Sequence, residues 1–219
     1  MSYILCLETA TTNCSVSLSK QGKLIAIKEN NSQSFSHAEK LHCFIQDLLE
    51  ENSVAAKDLA AIAVSKGPGS YTGLRIGVAA AKGLCYSLGI PLLSISTLNS
   101  LALQLEGVSD EYVIPMLDAR RMEVYSAVYQ NGKQVRKTKA DILDETSFTK
   151  YLEKNKVHFI GDGASKFEEL CKHPNAVFIK DKLPSSKEMS GITYTKFLSK
   201  QFEDTAYFEP FYLKDFVAG

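Results

Sequence analysis

Apolar positions along this chain follow two rhythms, a period of two that marks strands and a period near 3.6 that marks helices. Tyr3-Ile4-Leu5-Cys6-Leu7 is an unbroken apolar run of strand length, and Cys14-Ser15-Val16-Ser17-Leu18-Ser19 alternates strictly. Gln21-Gly22 supplies a turn, after which Lys23 to Lys28 returns as a third strand. A polar loop covers Asn30 to Ser34. Ser36 followed by Glu39 has the spacing of a capping box, and Ala38, Leu41, Ile45, Leu48 and Leu49 recur at helical spacing, so a helix is expected over 36–50. A strand at 61–64, a helix over 73–88, a strand at 92–95 and a helix from Ser96 or Thr97 to about Leu105 complete the order β-β-β-α-β-α-β-α.

The same order recurs roughly 110 residues later, without residue-level identity. Strands are expected at 112–117, 123–129 and 134–138, with Asn131-Gly132 as the hairpin turn. A helix over 146–155, a strand at 157–160, a helix over 164–172, a strand at 176–179 and a helix over 188–202 follow. The chain therefore reads as α/β, with two βββαβαβ(α) units: an N-terminal lobe over 1–106 and a C-terminal lobe over 107–219, the helix at 188–203 being a candidate to rejoin the first lobe. Two such units make the two-lobed actin, Hsp70 and sugar-kinase (ASKHA) fold. Those proteins hold ATP with an acidic-Gly-Thr/Ser turn after the first strand of each half. Here the two turns read Glu8-Thr9-Ala10-Thr11-Thr12-Asn13 and Asp118-Ala119-Arg120-Arg121, and neither carries the glycine that lets phosphate approach the backbone. The frame of a nucleotide-cleft protein without its phosphate turns points to a non-catalytic relative.

Between the 61–64 strand and the following helix stands Ser65-Lys66-Gly67-Pro68-Gly69-Ser70-Tyr71-Thr72-Gly73-Leu74-Arg75-Ile76-Gly77. Gly67 and Gly69 admit backbone angles closed to other residues, Pro68 stiffens the bend, and Ser70 or Thr72 is placed to cap the helix. Such a turn serves equally as an anion cradle or as a tight strand-to-helix connection. It is not a Walker A loop, because Lys82 precedes rather than follows the glycine and no Ser or Thr comes after it at the required place. It is not a nucleophile elbow, because Pro68 and Thr72 flank Ser70 where glycines are required, and no base accompanies that serine. It is not a dinucleotide fingerprint, because Gly73 stands one residue too far from Gly69.

Charge adds little. Lys and Arg number 25 against 25 Asp and Glu, which gives no electrostatic case for holding nucleic acid alone. Lys133, Arg136, Lys137 and Lys139 fit a solvated strand face. The five cysteines include no C-x-x-C pair, and Cys6, Cys14 and Cys85 sit in apolar segments as small core residues. Of the four histidines, the close pair His37 and His42 would lie about 140° apart on a helix, so no metal site is expected. No stretch approaches the ~18 apolar residues of a membrane span, and no leader precedes the first strand, so a cytoplasmic protein without membrane contact is expected.

Glu8-Thr9-Ala10-Thr11, Ser36-His37-Ala38-Glu39-Lys40-Leu41, the Gly67–Gly77 run continuing as Val78-Ala79-Ala80-Ala81-Lys82-Gly83-Leu84, Ser96-Thr97-Leu98 and Asp118-Ala119-Arg120-Arg121-Met122-Glu123-Val124-Tyr125 together resemble the bacterial TsaB (YeaZ) family. Gly161-Asp162-Gly163-Ala164 and Pro210-Phe211-Tyr212-Leu213-Lys214 resemble its C-terminal half. The resemblance implies a subunit of the machinery that makes N6-threonylcarbamoyladenosine in tRNAs reading ANN codons. In that family the chain shares the fold of the catalytic TsaD without its chemistry, offers TsaD a docking platform and recruits the ATPase TsaE. It has no cofactor of its own. ATP and a metal ion belong to the partner subunits, and tRNA is met only through the complex. Glu8 departs from the family, in which Asp is usual.

The docking surface implied by the resemblance is the pair of helices at 36–50 and 73–88, meeting the equivalent pair of TsaD or of a second copy in a homodimer. Gly73, Gly77 and Ala81 recur every four residues with Ala80 alongside, a row that admits close helix approach, and Cys43 and Phe44 lie off the main stripe of the first helix. Expected anchors are Leu41, Phe44, Ile45, Leu48, Ile76, Gly77, Ala80 and Leu84. Glu8, Gly67, Gly69, Ser70, Thr72, Arg75 and Asp118 are candidates for nucleotide or partner-loop contacts, with a local salt bridge the plainer role for Arg75. Asp118 and Glu123 are also weighed as an acid/base pair, with a structural role favoured. The alternative function is an ATP-dependent kinase or acyl transferase of the same fold.

Overall fold

Strand β1 (Tyr3–Glu8) is apolar from Tyr3 to Leu7 because it lies in the middle of a sheet covered on both faces. The structure is a computed structural model and describes residues 2–31, 37–105 and 107–214. Antiparallel β2 (Asn13–Lys20) and β3 (Lys23–Asn31) flank β1 on one side, and parallel β4 (Leu59–Ser65) and β5 (Leu92–Ile95) on the other, in the order β3-β2-β1-β4-β5. The helices of this part are α1 (His37–Glu51), α2 (Tyr71–Leu88) and the short α3 (Thr97–Ala102). The period of two sorts β1 cleanly. Leu5 and Leu7 pack with Leu41, Ile45 and Leu48 of α1 and with Val78, Ala81 and Cys85 of α2, whereas Ile4 and Cys6 face the opposite layer. The Ser36 capping box and residues 32–34 of the polar loop lie outside the described residues.

A second five-stranded sheet repeats the plan. It comprises β6 (Tyr112–Asp118), β7 (Glu123–Gln130), β8 (Lys133–Ile142), β9 (Val157–Ile160) and β10 (Ala176–Ile179), in the order β10-β9-β6-β7-β8, with α4 (Thr149–Leu152) and α5 (Ala164–Leu170). The fold is thus the two-unit ASKHA-type α/β arrangement. Phe148, Phe159, Phe167 and Phe178 cluster in this core, with the Phe159 and Phe167 rings 4.9 Å apart edge to face. Arg136 pairs with Asp141 at 2.8 Å, so this member of the basic run is neutralised within the sheet.

The first compact unit runs to Ser100 and resumes from Pro184, while Leu101–Leu183 form the second. The expected lobe over 107–219 is redrawn accordingly, because α6 (Met189–Leu198) lays Met189, Ile192, Tyr194 and Phe197 on Ile4, Cys6, Ala61, Ala63, Leu93 and Ile95 of the first sheet. The serine face of β2 is covered by the same return: Ser17 donates to the carbonyl of Ser186 at 2.7 Å, and the Ser186 amide donates to Ser15 Oγ at 2.8 Å. Two helices are shorter than the pattern suggests. The 146–155 segment keeps only α4, since Phe148 adopts a left-handed backbone (φ 61°) and Asp144 Oδ1 accepts the Thr146 amide at 2.8 Å in a turn. The 188–202 helix ends at Leu198, and Lys200 is left-handed (φ 54°).

Candidate functional site

The glycine run is consumed by the chain's own backbone. Ser70 caps α2, its Oγ accepting the Gly73 amide at 3.2 Å, and the Ser70 amide donates to the carbonyl of Ala10 at 2.7 Å. A Cβ on Gly69 would stand 2.4 Å from the Ala10 oxygen, one on Gly73 2.1 Å from the Thr9 oxygen, and one on Gly77 2.3 Å from Thr9 Oγ1. These three glycines let the first turn of the fold press directly against α2. On the other side Gly67 (φ 112°) exchanges hydrogen bonds with Thr97 at 3.1 Å, and a Cβ there would meet the carbonyl oxygen of Phe211 at 2.7 Å. The run thus makes a tight strand-to-helix connection packed against the β1–β2 turn.

Glu8, the residue where ATP-holding relatives of the fold present their acid, is fully buried. Its Oε1 accepts the Ala10 amide and the Ser65 hydroxyl, both at 2.7 Å, while Oε2 has no hydrogen-bond partner among the described residues. Burial pushes the carboxyl from an ordinary 4.5 up to about 7, and the hydrogen bonds from Ala10, Ser65 and Thr9 only partly oppose it. His37 is buried beside the same turn, its Nε2 within 2.7 Å of the Thr11 carbonyl, and burial lowers its pKa. A Nε2–H donor to that carbonyl fixes the neutral tautomer.

At the matching turn of the second unit Asp118 is no free acid. Its Oδ1 accepts the Arg120 amide at 2.6 Å and Lys166 Nζ at 2.7 Å, while the Asp118 amide donates to Asp162 Oδ1 at 3.0 Å. Burial raises the pKa of Asp162, with the Asp118 charge adding to the effect. Arg120 and Arg121 both hold left-handed backbones at the tip. Asp118 therefore shapes a hairpin.

The expected docking anchors divide. Leu41, Ile45 and Leu48 are buried in the first unit's own core, and Gly77 faces Thr9, so none of these four is available to a partner. The correction has a simple cause: the helical stripe that reveals α1 in the sequence is the stripe that faces the sheet. Phe44, Ile76, Ala80 and Leu84 are half-buried on the edge of that core, while Thr72, Ala79, Gly83 and Tyr86 are exposed. Arg75 makes no ion pair among the described residues. Its Nε donates to the Tyr212 hydroxyl at 3.3 Å and its guanidinium stands 4.3 Å over the Tyr71 ring, which in turn lies 4.9 Å from the ring of Tyr212.

Pro210-Phe211-Tyr212-Leu213-Lys214 stands out in the sequence only as a resemblance, with no structural role attached to the segment that supplies Tyr212. Beyond α6 the described residues 199–214 form no helix or strand apart from a single bridge between Glu203 and Leu92, yet they are tied down repeatedly: the Glu203 amide donates to the Leu92 carbonyl at 2.9 Å, Lys82 Nζ donates to the carbonyls of Ala206 and Phe208 at 3.0 Å each, and the Phe211 amide donates to the Lys66 carbonyl at 2.7 Å. The aromatic run Phe208, Phe211, Tyr212 was the available signal. Cys6, Cys14, Cys85 and Cys171 are buried free thiols and Cys43 is exposed. Among the described residues no group of three or more His, Cys, Asp or Glu side chains is placed to hold a metal ion, and no helix is long and apolar enough to cross a membrane.

Residues 31–218 match the family model described as TsaD, tRNA N6-adenosine threonylcarbamoyltransferase. The chain is 38% identical over 132 residues to the tRNA threonylcarbamoyladenosine biosynthesis protein TsaB of Bacillus subtilis, a stretch covering 58% of this chain and 55% of that protein. To the TsaB protein of Escherichia coli it is 29% identical over 226 residues, covering 98% of this chain and 96% of the relative. The solved structure of YeaZ from Pseudomonas aeruginosa superposes with a TM-score of 0.84 at 28% identity, over 97% of this chain and all of that one (100%).

Proposed function

The chain belongs to the TsaB (YeaZ) family, and from that premise we propose that it is a non-catalytic subunit required for making N6-threonylcarbamoyladenosine in ANN-decoding tRNAs. In this reading it docks a TsaD-like catalytic subunit through α1 and α2, recruits a TsaE-like ATPase, and meets tRNA only in the assembled complex, in the cytoplasm. ATP and a metal ion are handled by the partners. The same helices are the face that a second copy would use.

One observation carries the non-catalytic part. The β1–β2 turn, which would have to admit phosphate in a kinase or acyl transferase of this fold, is pressed against Gly69, Gly73 and Gly77 with its acid, Glu8, buried and turned inward. A kinase reading would require that contact to open. The docking part is supported by the exposed small residues Ala79 and Gly83 beside half-buried Ile76, Ala80 and Leu84.

The test is co-expression with the TsaD-like subunit of the same genome. The parent chain is expected to co-purify with it, Ala80→Glu to lose it while remaining folded, and the isolated chain to show no ATP turnover. Vigorous hydrolysis by the chain alone would refute the non-catalytic assignment, and undiminished co-purification of Ala80→Glu would refute the docking face.

A further inference from the structure

We propose that the free edge of β8 is a strand-addition site, and that its occupant is an extended acidic segment of another protein, with Asp or Glu at alternate positions. The site lies in the second unit and does not depend on the docking through α1 and α2 proposed above.

An edge strand turns alternate N–H and C=O groups away from its sheet, and those groups must meet water or a partner. The two sheets treat this need differently. At the β5 edge of the first sheet the chain supplies its own cover: the Leu92 carbonyl accepts the Glu203 amide at 2.9 Å, and the Ser94 carbonyl accepts Lys196 Nζ at 2.7 Å. The β8 edge of the second sheet is left open. With 10 residues, Lys133–Ile142, β8 is the longest of the described strands and stands at the end of its sheet. Among the described residues its only pairing is with β7, and none of its outward backbone groups is bonded by another part of the chain.

The side chains along that edge carry an unmatched charge. Lys133, Val135, Lys137 and Lys139 recur at the period of two, and all four are exposed. Asp141 is the one acid of the strand, and it is already engaged: Arg136 holds it at 2.8 Å and the Ser126 hydroxyl donates to it at 2.5 Å. The charge of Lys139 bears on Asp141 as well, but no ion pair engages Lys133, Lys137 or Lys139 among the described residues. Two apolar side chains also face water on this strand, Val135 at 51% and Ile142 at 77% exposure. A segment lying along β8 therefore meets cations, apolar side chains and an unfilled hydrogen-bond ladder together.

The occupant follows from charge and shape. Lysines on an edge guard against edge-to-edge association, and against a second copy they work well: antiparallel pairing of β8 with itself would add the cations of one strand to those of the other. Register shifts between Lys139 and Arg136 and between Arg136 and Gln134 bend the strand, so it lacks the flat edge that two rigid sheets would need. Neither device excludes a flexible segment of opposite charge. Such a segment can follow the bend, complete the ladder with its own backbone and set carboxylates against the lysines. Nucleic acid could match the charge, but it does not extend a β-ladder.

The experiment is titration of the isotope-labelled full-length chain with a synthetic peptide of about ten residues that alternates glutamate with threonine and valine, followed by amide shifts and hydrogen exchange. The peptide is expected to shift the β8 amides and protect them from exchange, with Kd rising about tenfold or more between low salt and ~0.5 M salt. Lys133→Glu combined with Lys137→Glu is expected to lose the glutamate peptide, gain its lysine counterpart and keep the parent's melting temperature. On the parent chain, the glutamate peptide N-methylated at alternate residues is expected to bind about tenfold more weakly, because it cannot form the ladder. Absence of any change at β8 on titration overturns the proposal. Equal binding of the N-methylated peptide overturns it too, by reducing the contact to charge alone. Protection of the β8 amides without peptide, accompanied by dimerisation in sedimentation, would make the occupant a second copy and overturn it as well.

Discussion

The hydroxyl of Thr9 donates to the carbonyl oxygen of Gly73 at 2.7 Å, joining the first turn of the fold to the first turn of α2 across 64 residues of sequence. That contact leaves no room for a side chain, since a Cβ on Gly73 would lie 2.1 Å from the Thr9 oxygen. Gly73→Ala is expected to destabilise the chain by about 2–3 kcal/mol, the cost of overpacking against rigid backbone. Urea unfolding at neutral pH measures it, and a loss below ~0.5 kcal/mol would mean that the turn and the helix are not clamped.

Gly83 should respond in the opposite sense. With open space where its Cβ would be, Gly83→Ala is expected to stabilise the isolated chain by about 1 kcal/mol through helix propensity alone. The same denaturation experiment reads it, and the two helical glycines together separate a packing role from a surface one.

Glu8 makes stability depend on pH in a direction uncommon for carboxylates. Its folded pKa of about 7 lies above the ordinary 4.5, so the native state holds a proton that the unfolded chain has released between those values. Its stabilising contribution is fully present below pH 4.5 and is lost as pH rises through 7. His37 works against it, because its lowered pKa costs stability as pH falls below the ordinary 6.5. Glu8→Gln should therefore melt higher than the parent at pH 8, with the advantage shrinking steadily towards pH 5. A difference in Tm independent of pH would show that Glu8 ionises as freely in the fold as outside it.

The second unit is continuous in sequence from Leu101 to Leu183 and has its own aromatic core around Phe159 and Phe167. A fragment of those residues is expected to fold alone, with dispersed amide resonances and a cooperative thermal transition. A fragment ending at Ser100 lacks the α6 cover of its sheet and is expected to aggregate.

Much of this was legible from spacing. The alternation of β1 and β2, the helical stripe of α1 and the cap at Ser70 are local signals, and each element stands within a few residues of where its pattern placed it. What the pattern does not carry is direction. The stripe of Leu41, Ile45 and Leu48 announces a helix but faces inward, and the residues left for a partner are the off-stripe ones such as Phe44. Likewise the serines of β2 look like a wet face yet bond to Ser186, a pairing that spans about 170 residues and leaves no periodic trace. The helix expected over 146–155 is cut short for a third reason, since the left-handed Phe148 that delays its start is held by its ring in the core and not by any turn-forming residue. The C-terminal segment has no period at all, only aromatic residues placed one by one, so the resemblance at Pro210 to Lys214 did not say where it packs.

The order of synthesis gives the late position of α6 a further meaning. Of the 219 residues, 188 are synthesised before Met189, and until then Ile4, Cys6, Leu93 and Ile95 lack the cover that α6 gives them. The growing protein keeps a greasy surface for most of its translation, and a premature stop codon upstream of that helix is expected to give an aggregation-prone product.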